Sequence, residues 1–337
     1  MATETNRFGT GVLEGADALV GKVWVVNTAC LSIHAEFLSW ANANAERIAR
    51  AESAADTLVV LGCQVTDLAV LNDLRTLGAL MHRRPGKNYF VGGCLARRFD
   101  IELPGGVRRL GRVVCDGQEL WYQALVQWAD PFWVSNFDPA NGSLAPGHLF
   151  RRRYPLRTSV GCSGCCTYCT IRETRGEPYT LPVNEEEFLG HNDVVLVADS
   201  PSAEELATWM ELALRHERTL SLRNVEPRVA MQLEALISVL ARRGLLKVFH
   251  MPVQAEDEAV LRDMGRGYST TNRAIDLAGQ LPRSVTTATN IIVDYKDCPN
   301  RFERIYRVFD YVSWNPWWCG VWDRASAERR WRRYFGV

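Results

Sequence analysis

The 337-residue chain has no surplus of either charge: Lys plus Arg and Asp plus Glu stand at 39 each. Nucleic-acid enzymes often carry a basic excess, and this chain has none overall. Its basic residues are local, in Arg151-Arg152-Arg153 with Arg157 and in a tail holding Arg324, Arg329, Arg330, Arg332 and Arg333. Such runs ordinarily form solvated faces. No apolar run approaches the roughly 20 residues of a membrane span. The polar start Met-Ala-Thr-Glu-Thr-Asn lacks the charged-then-apolar layout of a secretory leader. These absences predict a cytoplasmic protein with no membrane partner. The ten cysteines are then reduced and available as ligands, and their spacing is not that of a small disulfide scaffold.

Three of those cysteines form C-x3-C-x2-C, in Gly161-Cys-Ser-Gly-Cys-Cys-Thr-Tyr-Cys169. Zinc prefers two separated C-x2-C pairs or Cys/His mixtures, and no second pair with that spacing is present. Three thiolates can fill three iron sites of a [4Fe-4S] cube and leave the fourth iron open, whereas electron-transfer clusters usually take a fourth cysteine. Cys165 leaves an ambiguity, because C-x2-C-x3-C fits residues 162, 165 and 169 equally; the Thr-Tyr-Cys ending favours Cys166.

Upstream, a pattern repeats. Short β-rich runs at 23–26, 57–61 and 88–91 are each followed by a loop cysteine, Cys30, Cys63 and Cys94, spaced 33 and 31 residues apart. Helical periodicity over 34–51 and 67–81 separates them. This is the length of a βα repeat and predicts a parallel sheet with each cysteine at the carboxyl end of its strand, the edge where open α/β sheets bind ligands. One such cysteine reads as a small buried hydrophobe. Three in register favour a second three-cysteine cluster.

After a turn-rich stretch at 138–147 the βα pattern resumes. Strands are expected at 156–160, 193–198, 219–222, 246–249 and 286–293, and more weakly at 317–321. Helices are expected at 203–215, 230–243, 258–265, 271–281 and 301–312. About six βα units suggest a partial, open barrel, since a closed eight-fold one needs about 250 residues. The expected fold is α/β: an N-terminal open parallel α/β sheet domain over 20–135, with one more strand and helix sought within 107–128 to close it, a linker at 136–150, a (β/α)6 barrel over 151–322, and an arginine- and aromatic-rich tail at 323–337. The tail's Trp314, Trp317, Trp318, Trp322, Trp331 and Tyr334 are expected to cap the barrel.

These segments resemble the radical S-adenosylmethionine methylthiotransferases. Asn27-Thr-Ala-Cys30 with Glu36, Val60-Leu-Gly-Cys63 and Val91-Gly-Gly-Cys94-Leu-Ala-Arg97 resemble that family's three cysteine blocks, in order and upstream of the radical motif. Thr174-Arg-Gly-Glu177, Arg223-Asn-Val-Glu-Pro227, His250-Met-Pro-Val-Gln254 and Leu261-Arg-Asp-Met-Gly-Arg-Gly-Tyr268 resemble its downstream segments. The resemblance implies two [4Fe-4S] clusters, one on Cys162, Cys166 and Cys169 with S-adenosyl-L-methionine, the other on Cys30, Cys63 and Cys94. It implies methylthio or sulfur insertion into an unactivated C–H bond and an electron donor of flavodoxin or ferredoxin type. Tyr168 would help seat the adenine, and Arg175, Glu226 and Gln254 are candidates for the S-adenosylmethionine or substrate pocket. No catalytic acid or base is assigned.

Two departures stand out. Ile291-Ile-Val-Asp-Tyr-Lys-Asp-Cys-Pro299 replaces the family's Gly-Phe-Pro-Gly-Glu-Thr turn, and the family's small C-terminal β-barrel domain is expected to be absent. With the balanced charge, this favours a peptide or small-molecule substrate. Alternatives are a tRNA or ribosomal-protein methylthiotransferase with a reduced tail, or a non-catalytic iron–sulfur protein. Cys115, Cys298 and Cys319 match no block and are expected to be packing residues, with Cys298 inside the altered turn.

Overall fold

The computed structural model describes residues 11–30, 32–33, 37, 40–41, 43–111, 149–150, 153–298 and 301–336. The expected linker up to residue 148, the strand and helix sought within 107–128 beyond Gly111, and Glu36, Cys115, Arg151 and Arg152 lie outside these residues. The chain divides into two compact units, Met1–Phe132 with Gly320–Val337, and Trp133–Cys319.

The first unit is built on four parallel strands in sequential order: β1 (Val23–Asn27), β2 (Thr57–Gly62), β3 (Asn88–Gly93) and β4 (Val107–Arg109). β2 is buried along its whole length, as a strand covered on both faces must be, and its Thr-Leu-Val-Val-Leu run shows no polar alternation. The helix Asp67–Arg83 connects β2 to β3, capped by Thr66, whose hydroxyl accepts the Ala69 N–H at 3.1 Å. The helix expected over 34–51 ends early. Beyond Asn44 comes a short 3-10 turn, Ala45–Arg47, and then Ile48 pairs with Val23, with the Ala49 N–H on the Val23 carbonyl at 2.8 Å. Edge pairing beside β1 has overridden helical periodicity there.

The helix Arg324–Phe335 completes this unit by packing on Asp67–Arg83. This corrects the expectation for Trp331, which lies under the Arg75 guanidinium, 4.7 Å from ring centroid to carbon, whereas Trp317 packs in the second unit as expected. Periodicity predicts an amphipathic helix here but cannot say which apolar surface receives it.

The second unit holds six parallel strands, β5 (Tyr154–Arg157), β8 (Asp193–Val197), β9 (Thr219–Leu222), β10 (Leu246–His250), β11 (Thr286–Val293) and β12 (Tyr311–Pro316), also in sequential order. A two-stranded ribbon of β6 (Ser159–Val160) and β7 (Tyr179–Thr180) flanks the cysteine loop. Sequential parallel strands joined by helices are the arrangement of a partial barrel. Helices Ala203–His216, Glu258–Asp263 and Tyr268–Gln280 fall near their expected places, while the helix expected at 230–243 begins at Pro227 and is interrupted at Leu233. The strand expected at 317–321 is instead Tyr311–Pro316, paired with β11 over six residues, and the helix expected at 301–312 is only Glu303–Val308. The alternating run Tyr-Val-Ser-Trp-Asn forms this strand, although Trp317-Trp318-Cys319 just after it is the more apolar run. No described helix is long and apolar enough to cross a membrane.

Candidate iron–sulfur sites

In the first unit, Cys30, Cys63 and Cys94 leave the carboxyl ends of β1, β2 and β3. Their thiols are near one another: burial pushes the Cys63 thiol well above its usual range, and the charges of Cys94 and Cys30 push it further. The turns are tied across strands. Thr28 donates its N–H and hydroxyl to the Leu61 carbonyl at 3.0 and 2.9 Å. The Cys63 N–H donates to Asp73 Oδ2 at 2.7 Å, and the Val65 N–H points at Cys63 Sγ at 3.4 Å. Gly93 has φ 72°, and a Cβ there would lie 2.6 Å from the Gly62 carbonyl oxygen. Only glycine permits that approach, which is the physical reason the third block reads Gly-Gly-Cys.

In the second unit the loop from Gly161 to Arg175 follows β5 and β6. Its two ends meet on one carboxylate at the end of β8: Asp199 Oδ2 accepts the Gly161 N–H at 2.9 Å and Arg175 Nε at 2.9 Å. The ion pair is buried on both sides. Gly161 has φ 84°, and a Cβ would lie 2.9 Å from the Gly176 carbonyl oxygen. The middle of the loop is held by Thr167, whose hydroxyl donates to the Asp263 carbonyl at 2.7 Å, and by Tyr168, whose hydroxyl accepts Arg266 Nε at 3.1 Å. Tyr295, inside the altered turn, donates its hydroxyl to the Asp263 carboxylate at 2.6 Å and is buried against Met264, with Tyr168 and Trp317 packed on the same cluster.

Cys162, Cys166 and Cys169 interact. The protein crowded round the Cys169 thiol pushes it up to about 12, with Cys166 and Cys162 raising it and Arg266 opposing. The charge of Cys166 is also felt by Tyr168 and Arg266. Cys165 is exposed. It lines, with Ser163, Cys166, Glu226, Arg266 and Thr270, a cleft of about 310 Å³.

No three Cys, His, Asp or Glu side chains among the described residues are arranged to hold a single metal ion. Cluster ligands sit on different irons and so stand further apart than ligands of one ion. The donor chemistry fits a cluster: thiolates are the ligand form, and thiols with raised pKa values, as at Cys63 and Cys169, stay protonated unless a strong local positive charge replaces the proton.

Among the other sequence candidates, Glu226 stands at the residue before the helix Pro227–Gln232, makes no side-chain capping bond to it, and lines the cleft. Arg175 is engaged by Asp199. Gln254 adopts φ 71° and bridges β11 through its backbone, its N–H on the Asn290 carbonyl at 2.9 Å and its carbonyl taking the Ile292 N–H at 2.8 Å. Sequence reasoning missed Arg266, Asp199 and Asp263. Arg266 lay within a quoted block without being singled out, and Asp199 carried one signal, a carboxylate just past the carboxyl end of a predicted strand.

No protein-family profile matches the chain. A tRNA-2-methylthio-N(6)-dimethylallyladenosine synthase of Sulfurimonas denitrificans is 25% identical over 275 residues, covering 72% of this chain and 61% of that protein. A ribosomal protein uS12 methylthiotransferase of Brucella canis is 25% identical over 311 residues, covering 84% of this chain and 67% of that protein. The chain thus spans 61% of the length of the first. A radical S-adenosylmethionine methyltransferase structure from Kitasatospora setae aligns over 81% of this chain and 68% of its own at 11% identity and a TM-score of 0.45, too distant to add to the argument.

Proposed function

Because this chain is a divergent relative of the methylthiotransferases, we propose that it is a radical S-adenosylmethionine enzyme with two [4Fe-4S] clusters that inserts sulfur or a methylthio group into an unactivated C–H bond. The observation that carries this reading is the pair of three-thiol groups, Cys30/Cys63/Cys94 and Cys162/Cys166/Cys169, each at the carboxyl edge of its own parallel sheet. Cys166 rather than Cys165 is the middle ligand, because its charge acts on Cys169, Tyr168 and Arg266.

When bound, the second unit's cluster and S-adenosylmethionine supply a carbon radical, and the first unit's cluster supplies sulfur; the cofactors carry the hard chemistry and the protein aims it. The chain's own residues bind and orient. Arg266 is fixed by donating Nη1 to the Pro252 carbonyl at 2.8 Å and Nε to Tyr168. It offers a rigid cation to a carboxylate in the cleft, and Glu226 offers an acceptor to an ammonium beside it. Asp199, Asp263 and Arg266 hold the cysteine loop at its ends and middle.

For the substrate, the balanced charge supports a peptide or small molecule. A tRNA or ribosomal-protein substrate is the second reading, favoured by the relatives' own activities; binding of the intact chain to tRNA that weakens steeply with salt would decide for it.

The test uses protein reconstituted without oxygen. Iron and sulfide are counted in wild type and in Cys30→Ala/Cys63→Ala/Cys94→Ala, and 5′-deoxyadenosine is assayed after dithionite and S-adenosylmethionine. The expected result is about eight irons falling to about four, as two cubes require, with 5′-deoxyadenosine formed. About four irons in both proteins would remove the methylthiotransferase reading even if radical chemistry survived.

A further inference from the structure

The tail does more than pack. Arg98 is 1% exposed and lies four residues after Cys94, just past the 3-10 turn Cys94–Arg97. Its guanidinium grips Asp100 with two bonds, Nε–Oδ1 at 2.7 Å and Nη2–Oδ2 at 2.5 Å. Nη1 donates to Gln64 Oε1 at 3.3 Å, beside Cys63, and Nη2 donates to the Gly320 carbonyl at 2.9 Å. A buried guanidinium requires all of these acceptors. One side chain therefore joins the residue after Cys63, the turn bearing Cys94 and the start of the C-terminal segment.

The helix that follows, capped by Asp323, returns to the same edge. Arg330 Nη1 donates to Asp67 Oδ2 at 3.0 Å, and Asp67 is 4% exposed at the first turn of the helix after Cys63. Trp331 lies beneath Arg75 on that same helix. A buried guanidinium–carbonyl contact and a half-buried ion pair, each between segments more than 220 residues apart, thus fall on the stretches that carry Cys63 and Cys94.

We propose that the segment Gly320–Gly336 is a structural part of the Cys30/Cys63/Cys94 site, with Arg98 and Arg330 as the positioning residues that couple it to the cysteine turns. The proposal rests on the reading that these cysteines hold a cluster. The tail sets the separation of Cys63 and Cys94 and limits opening of the edge that would let the cluster escape.

The experiment uses the full reconstituted chain with Arg98→Lys, Arg330→Gln, Trp331→Ala and Trp331→Phe. Lysine keeps the charge of Arg98 but cannot reach three acceptors at once. Two quantities are read for each cluster: its electron paramagnetic resonance spectrum after reduction, and its rate of iron loss to a chelator. The Cys162/Cys166/Cys169 cluster is the internal control. In Arg98→Lys, Arg330→Gln and Trp331→Ala, the first unit's cluster should lose iron about tenfold faster, the scale of one lost charge-assisted hydrogen bond, and its spectrum should shift while the control cluster keeps wild-type behaviour. Trp331→Phe, which keeps a ring beneath Arg75, should stay at the wild-type rate. Equal acceleration at both clusters would mean general destabilisation and overturn the proposal, as would wild-type spectra and rates throughout. About four irons in the wild-type chain would overturn the two-cluster reading, and this proposal with it.

Discussion

Asp199 and Arg175 form a buried ion pair at 2.9 Å, on the same carboxylate oxygen that receives the Gly161 N–H. The carboxylate is a clasp: it closes a loop of fourteen chain steps, from Gly161 to Arg175, around four cysteines, Cys162, Cys165, Cys166 and Cys169. Breaking one side leaves a buried charge uncompensated, which costs about 3–5 kcal/mol. Asp199→Ala is expected to lower stability on that scale in denaturant unfolding and to release iron from the Cys162/Cys166/Cys169 site first.

The neighbouring cysteines should differ sharply. Cys166→Ser is expected to abolish iron binding at the second unit's site and with it 5′-deoxyadenosine formation. Cys165→Ser should leave iron content unchanged, because the charges acting on Cys169 are those of Cys166 and Cys162 and not that of Cys165. Iron analysis of both variants checks this, and the reverse pattern would reassign the ligand.

At the first unit's edge, Gly93→Ala places a Cβ 2.6 Å from the Gly62 carbonyl and asks alanine to hold φ 72°. Such backbone strain costs of order 1–3 kcal/mol before any steric shift. The expected outcome is a lower unfolding midpoint and weakened iron retention by Cys63 and Cys94, whereas Gly78→Ala, where an added Cβ meets nothing within 4 Å, should be neutral or stabilising.

Stability should also depend on His250. Burial, helped by the Arg223 charge, lowers its pKa from 6.5 to about 3. Its Nδ1 accepts the Asn224 N–H at 3.1 Å and its Nε2 faces Asn290 Oδ1, so the ring is neutral with the proton on Nε2. The unfolded chain binds the extra proton below about pH 6.5 and the folded chain does not until about pH 3. Stability is therefore present above 6.5 and falls with pH through that window, by up to about 1.4 kcal/mol per pH unit from this group. Denaturant midpoints between pH 7 and 4 should show that slope, and His250→Gln should flatten it.

Much of this was written locally. Cys30, Cys63 and Cys94 repeat at βα length, and each strand run is short, apolar and bounded, so the alternation could be read from spacing alone, whereas spacing fits Cys165 and Cys166 equally as the middle cysteine of the second trio. Local pattern misled where two segments competed for one role, as when Trp317-Trp318-Cys319 outweighed Tyr311–Pro316 as the sixth strand.

The rest depended on partners that no window of sequence contains. Asp199, Arg266 and Arg98 are ordinary charged residues until the fold brings Gly161, Tyr168 and Gly320 to them. An amphipathic helix such as Arg324–Phe335 announces an apolar face, and its receiving surface is decided by which buried charges it satisfies, here Asp67 across 263 residues. Periodicity is a property of neighbours along the chain and sets the elements; burial of charge and matching of hydrogen-bond donors to acceptors are properties of neighbours in space, and they set the sites.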